Sequence, residues 1–388
     1  MTGDSTRSVH EAEPFDRETG SIIAPIFETA TFGFTRAADV PRAISGEKGY
    51  TYSRWDNPTV VRLENKVAAL EGGGDAAAFS SGMAAISTSV FSFLKKKDHV
   101  LGIRDLYGGT YALLHDLLPR LGIETTLVET TDFDAMAGAL KKNTKIIYVE
   151  SPTNPTLKLV DIQRVSKLAH ASGALVLVDN TFASPVNQNP LKLGADVVLH
   201  SATKFLNGHA DLIAGVAVGT KAKAHEIKMM RREFGGTLDA FPAWLVLRGM
   251  KTMALRVRQQ NANAQALAGY LLEHRKVSRV NYPGLRSHPQ HLLARKQMKG
   301  FGGMLSFEVK GKMRDAMKFT ESLRVASLAA SLGGVETLVS QPVNMTHTQM
   351  SAKERAKTGI PDTLVRVSVG IEDEADLISD FRRALALV

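Results

Sequence analysis

The sequence predicts an α/β protein with a mostly parallel central sheet, followed by a smaller α+β domain. Three observations carry this expectation. Apolar, β-branched segments alternate with helix-like segments from Pro58 to Leu199. The alternation gives way near residue 250 to a long helical stretch, 253–273, and then to isolated strands. Polar clusters stand just past three predicted strands, where open α/β sheets bind ligands.

Taken in order, residues 1–56 read as an irregular arm. Pro14, Pro25 and Pro41 punctuate it, and Ile22-Ile23-Ala24-Pro25-Ile26-Phe27 is apolar without a period. Such a segment is expected to dock, here on a neighbouring subunit. From Pro58, the residues Val60, Leu63, Val67 and Leu70 fall on one helical face, and Gly72 to Gly74 end that helix. Residues 76–79 read as a strand, and a helix opens at Met83. Strands are expected at 100–103, 126–128, 145–149, 174–178 and 197–199. Helices are expected around 113–118, 133–140 and 162–171. These elements form a large domain, 57–252. A C-terminal α+β domain, 253–388, holds strands at 304–309 and 364–369 and a closing helix at 374–387.

Composition bounds the function. The 388 residues are 44% hydrophobic and 22% charged, which is globular composition with length enough for two lobes. The apolar run 83–94 is too short to span a bilayer and carries four hydroxyl side chains. The N-terminus lacks the basic-then-apolar order of a signal peptide. There is no cysteine, which excludes disulfides, thiolate metal sites and a cysteine nucleophile. A cytoplasmic protein is expected. The net charge of +9 is scattered over Lys95-Lys96-Lys97, Arg231-Arg232 and 353–357 without interleaved aromatics. That pattern describes a solvated surface rather than a nucleic-acid or membrane partner.

The polar clusters carry the chemistry. Ser80-Ser81-Gly82-Met83 opens a helix, where backbone N–H groups bind anions and glycine permits close approach; an ordinary N-cap reads the same way. Asp179 ends a buried strand, and a carboxylate there needs a cationic partner to stay charged. Ser201, Thr203 and Lys204 follow the strand at 197–199. An amine held there can be desolvated into a nucleophile or Schiff-base former. Phosphate cradle, acid and amine together are what pyridoxal phosphate requires. Three other patterns fail. Ser201-x-x-Lys204 with Lys357-Thr358-Gly359 imitates a serine β-lactamase, but Asn207-Gly208 leaves no room for the helix that motif needs. Gly72-x-Gly74-x-x-Ala77 follows a helix and precedes a strand, the reverse of a dinucleotide fingerprint. His288 and His291 share a proline-containing turn and read as structural; no metal site is expected.

Ser201-Ala-Thr-Lys-Phe-Leu-Asn-Gly-His209, Glu150-Ser-Pro-Thr-Asn-Pro155, Val178-Asp-Asn-Thr181, Tyr52-Ser-Arg54 and Ser331-Leu-Gly-Gly-Val-Glu-Thr-Leu338 carry a resemblance. Together they resemble the Cys/Met-metabolism family of pyridoxal-phosphate enzymes, from about Pro25 to the C-terminus. The resemblance implies the fold-type-I architecture, a homotetramer of active dimers and an amino-acid substrate. It implies that Lys204 holds the cofactor covalently and shuttles protons, and that Asp179 pairs with the pyridinium nitrogen. Gly82, Met83, Ser201 and Thr203 would bind the phosphate, and Tyr52 and Arg54 would reach it from the neighbouring subunit. Thr181 would join the cofactor site, Asn154 would meet the ring hydroxyl, and Tyr107 would stack on the ring and act as acid and base. Arg366, with Ser331, Leu332 and Tyr52 nearby, would hold the substrate. Family members that handle cystathionine carry charges at positions matching Thr51, Ala112 and Ala330; none is present here. The resemblance therefore implies γ-elimination from methionine or homocysteine first, with cystathionine cleavage or γ-replacement as alternatives. Glycine at position 109 is the feature shared with those alternatives.

Overall fold

The computed structural model describes residues 3–345, 355 and 359–388. Lys357 and Thr358, and most of the basic cluster at 353–357, lie outside the described residues. The larger sheet comprises β1 (Asp75–Phe79), β2 (His99–Ile103), β3 (Glu124–Val128), β4 (Thr144–Glu150), β5 (Leu175–Asp179), β6 (Val197–Ser201) and β7 (Gly215–Gly219). Their order is β1-β7-β6-β5-β4-β2-β3. The strands β2 to β6 run parallel, as expected. Strand β7, which the sequence reading missed, is antiparallel to both β1 and β6. Buried Val, Ile and Leu runs build β4 to β6, as a sheet covered on both faces requires.

The helix Pro58–Glu71 starts on the Asn57 side chain, which accepts from the Thr59 N–H at 2.9 Å, and ends at left-handed Gly72. Val60, Leu63, Val67 and Leu70 are all buried, as their spacing predicts. The same helix also buries Glu64. Glu64 pairs with Arg231 at 2.6 Å and Lys228 at 3.1 Å, both on the helix Lys221–Phe234.

The smaller sheet comprises β8 (Val277–Asn281), β9 (Met304–Val309), β10 (Ser327–Leu328), β11 (Leu338–Ser340) and β12 (Leu364–Ser368), in the order β10-β11-β12-β9-β8. Phe307, Phe319 and Phe381 meet at ring-centroid distances of 5.4, 5.5 and 6.3 Å in its core. The helix Met253–Leu272 joins the two lobes. Met253, Ala254 and Val257 belong to the larger core, and Ala264, Leu267, Ala268 and Leu271 to the smaller.

One local expectation is corrected: the start of the arm is not irregular. Asp4–His10 is helical, Ser5 accepts from Arg258 at 2.8 Å, and Glu13 pairs with buried Lys66. Ile22, at 81% exposed, and Phe15, at 60%, remain uncovered by their own chain. The segment expected as a helix around 113–118 is helical, in a continuous run from Gly108 through a π-turn at Leu113–Leu117 to a last short piece, Leu118–Arg120. Pro119 in that piece lacks the N–H that would continue the helical ladder.

Candidate active site

Glu150, Asp179 and Ser201 are the last residues of β4, β5 and β6, so three parallel strands deliver three polar side chains to one sheet edge. A cleft of about 1160 Å³ opens there. Gly82, Met83, Tyr107, Asn154, Asp179 and Thr181 line it, as do Ser201, Thr203, Lys204, Ser331, Leu332 and Arg366.

Lys204 follows β6 by three residues, and its Nζ donates to Ser331 Oγ at 2.6 Å. Burial first, and the Arg366 charge second, lower its pKa to about 8. The turn after it is fixed from behind by buried Arg256. That guanidinium donates to the carbonyls of Phe205, Leu206, Asn207 and Gly249 at 3.1, 3.3, 3.3 and 2.8 Å. Gly208 closes the turn with φ +76°, and a Cβ there would run into Arg256.

Asp179 is 6% exposed, and its Oδ1 accepts from the Thr181 N–H at 3.0 Å. Burial raises its pKa against that bond, so a cationic partner is what would keep the carboxyl charged. Thr181 Oγ1 in turn accepts from the Ser201 N–H at 2.9 Å. The helix Gly82–Ser92 points its N-terminus into the same edge. Ser81 Oγ takes the Ala84 N–H at 3.0 Å, which makes Ser81 an N-cap. Helix geometry leaves the Gly82 and Met83 N–H groups without intrahelical acceptors. A Cβ on Gly82 would stand 2.8 Å from Ser201 Cβ, so the approach of helix to strand depends on glycine.

Arg366, on β12, is buried; its Nη1 donates to Asn154 Oδ1 at 3.1 Å and its Nη2 to the Ser331 carbonyl at 2.9 Å. Its Nε is buried without a partner. Burial lowers the Arg366 pKa to about 10, with Glu150 acting in the opposite direction. Ser331 holds φ +84°, a left-handed backbone unusual for a residue with a side chain. Tyr107 is 45% exposed, and its backbone N–H donates to Glu150 Oε2 at 2.9 Å.

Tyr52 and Arg54 do not line this cleft within their own chain. Arg54 Nη1 instead donates to the Arg232 carbonyl at 2.6 Å, and its guanidinium lies 5.6 Å from the Tyr52 ring centroid. Two residues escaped the sequence reading. Glu150 stood inside a quoted motif with no role assigned. Its signal was an acid ending the apolar run Ile146-Ile-Tyr-Val149, the same signal that marked Asp179. Arg256 had none, because three of its four acceptors lie about fifty residues earlier. Among the described residues no cluster could hold a metal, and no helix is long and apolar enough to cross a membrane.

An amine and a buried acid at neighbouring strand ends, beside a helix N-terminus, define the pyridoxal-phosphate enzymes built on a mostly parallel sheet. The profile of the Cys/Met metabolism PLP-dependent enzymes matches residues 5–386, and the chain belongs to that family. It is 46% identical over 370 residues to an L-methionine gamma-lyase of Fusobacterium nucleatum subsp. polymorphum, covering 94% of each chain. It is 45% identical over 387 residues to a cystathionine beta-lyase of Lactococcus lactis subsp. cremoris, covering 99% of each. The solved cystathionine gamma-lyase of Lactobacillus plantarum, complexed with L-serine, superposes with a TM-score of 0.94 at 41% identity over 99% of both chains.

Pyridoxal phosphate is the cofactor, and the residues present fit it. The glycine-dependent cradle at Gly82 and Ser201 would suit a phosphate, and the desolvated Lys204 amine an aldehyde. Asp179, a buried carboxylate at the strand end, would suit a ring N–H. When bound, the cofactor withdraws electrons from the substrate's Cα.

Proposed function

We propose that the protein is a methionine/homocysteine γ-lyase, releasing 2-oxobutanoate, ammonia and a thiol from its substrate and one water. Arg366 grips the α-carboxylate through its unpartnered edge. Lys204, neutral in about half the molecules at a pH near its value of about 8, removes the Cα proton. Tyr107 hands a proton to the departing sulfur. Asn154 orients the ring while keeping Arg366 in place.

The observation that supports this specificity is the makeup of the cleft beyond Lys204. Ala112 and Ala330 line it together with Ile213, Met345 and Ile360. A second amino-acid head would lose its hydration against these five side chains without gaining a charged partner from them; of the acids that also line the cleft, Asp105 is paired with Lys158 and Asp116 with His115, and Arg104 is the lining cation beside them. Gly109 supports the second reading, cystathionine γ-lyase or γ-replacement. A Cβ there would stand 2.8 Å from both Met83 Sδ and Tyr107 Cε1, so the glycine suits a site that uses the full width beside Tyr107. The deciding experiment measures 2-oxobutanoate from methionine, homocysteine and cystathionine, and thiol capture on O-acetyl- and O-succinylhomoserine. Methionine or homocysteine should lead. A lead for cystathionine in kcat/KM of more than about tenfold transfers the assignment to the second reading.

We infer further a cytoplasmic homotetramer of active dimers in which Tyr52 and Arg54 serve the neighbour's cleft. Their distance from their own cleft and the uncovered apolar side chains of the arm support it. Inactive Arg54→Ala and Lys204→Ala chains, co-refolded, should regain activity, because one site of each mixed dimer keeps both groups. Mixed dimers without activity would confine Arg54 to its own chain.

A further inference from the structure

Glu150 is 4% exposed and sits at the junction of the two loops that carry Tyr107 and Asn154. Its Oε2 accepts from the Tyr107 N–H and its Oε1 from the Asn154 N–H, both at 2.9 Å. Asn154 Oδ1 accepts from Arg366, whose other Nη donates to the carbonyl of Ser331, the residue whose hydroxyl receives the Lys204 amine. One carboxylate thus roots a continuous path through five residues of the cleft. In register, it lies directly beside Asp179 on the adjacent strand, where a second buried acid is electrostatically unfavourable. A carboxylate there needs compensation, and two converging N–H donors supply it. The chemistry of the pair is specific. A carboxylate offers two acceptor oxygens and no donor, whereas an amide would turn its NH2 against one of the two N–H groups.

We propose that Glu150 is a positioning residue that fixes the Tyr107 phenol relative to the Arg366 clamp. Its two oxygens set the spacing between the acid that meets the leaving group and the cation that meets the substrate carboxylate. The fold does not depend on it alone. Further out, the same two loops are tied again by Lys158, which lies 3.1 Å from Asp105, and by the Thr156 hydroxyl, 3.5 Å from Asp105 Oδ1. The phosphate cradle at Gly82, Met83, Ser201 and Thr203 has no bond to Glu150, so cofactor capture is separable from its role.

The test uses the cofactor-loaded Glu150→Gln enzyme with whichever of methionine, homocysteine or cystathionine the wild type turns over. A failure of the substrate assignment therefore leaves this test intact. The expected result is a fall in kcat of about tenfold or more, with cofactor affinity, read by absorbance titration of the apoenzyme, within about threefold of wild type. In a double-mutant cycle, Glu150→Gln should add little to Tyr107→Phe, because both act through one phenol. A kcat within about twofold of wild type, a parallel loss of cofactor affinity, or independent multiplying effects in the cycle would each overturn the proposal. Should the variant not fold, amide exchange in the wild type decides. The Tyr107 and Asn154 amides should exchange far more slowly than the Gly108 amide, and equal rates would overturn the proposal as well.

Discussion

Behind Lys204, a buried cation gathers carbonyls: Arg256 holds four of them, three in the turn that carries the lysine. Behind Tyr107 and Asn154, a buried anion gathers N–H groups: Glu150 holds two. Both devices freeze a loop with charge-assisted bonds, yet burial moves their pKa values in opposite directions. Burial lowers the Arg256 pKa only to about 10, so its grip is constant at any working pH. Burial and the neighbouring Asp179 raise the Glu150 pKa, and the Tyr107 and Asn154 N–H bonds act against that rise. The covalent anchor is thereby held by a buried cation, and the loops behind the proton donor by a buried acid whose charge the two N–H bonds must support.

The largest effect should come from breaking the constant side. Arg256→Met strands four carbonyls and should remove about 3 kcal/mol or more of stability, read as a lower denaturant midpoint, with near-total loss of activity. A stable and active Arg256→Met enzyme would mean that the Lys204 turn holds itself.

A smaller effect tests the charge environment of the lysine. In cofactor-free protein, reductive trapping of Lys204 by pyridoxal should rise with pH around a midpoint near 8 and fade below it as the amine protonates. Arg366→Met removes the secondary of the two causes. The midpoint should therefore move upward but stay below that of an ordinary lysine, since burial remains. An unmoved midpoint would leave burial as the sole cause.

The smallest effect belongs to the Tyr107 side. Gly109→Ala places a Cβ 2.8 Å from Met83 Sδ and Tyr107 Cε1. The methionine end can swing away but the ring edge must turn, so kcat should fall a few-fold with the Lys204 titration unchanged. A shift in that titration would show that the two sides are not independent.

The contrast also explains what could be read in advance. The helix Pro58–Glu71, the strand ends bearing Asp179 and Ser201, and the position of Lys204 follow from periodicity and strand punctuation, which are local. Strand β7 was missed because Gly215-Val-Ala-Val-Gly219 is short and framed by glycines, with no alternation. The helix Lys221–Phe234 was missed because only Ala224, Ile227 and Arg231 are buried on it, and one of those is charged. Glu150 and Arg256 matter through partners 43 to 51 residues away and nearer ones, and no window on the sequence joins them.

The helix Met253–Leu272 has a consequence for how the molecule comes apart. Its early turns lie in the larger core and carry Arg256; its later turns fill the smaller core. The helix is a single hydrogen-bonded rod of about 30 Å. Loosening the C-terminal lobe withdraws the packing that keeps the rod in place, and with it the hold on the Lys204 turn. The shared helix predicts that a thermal scan of the cofactor-free chain shows one transition rather than two, with the lysine released as the distant sheet gives way.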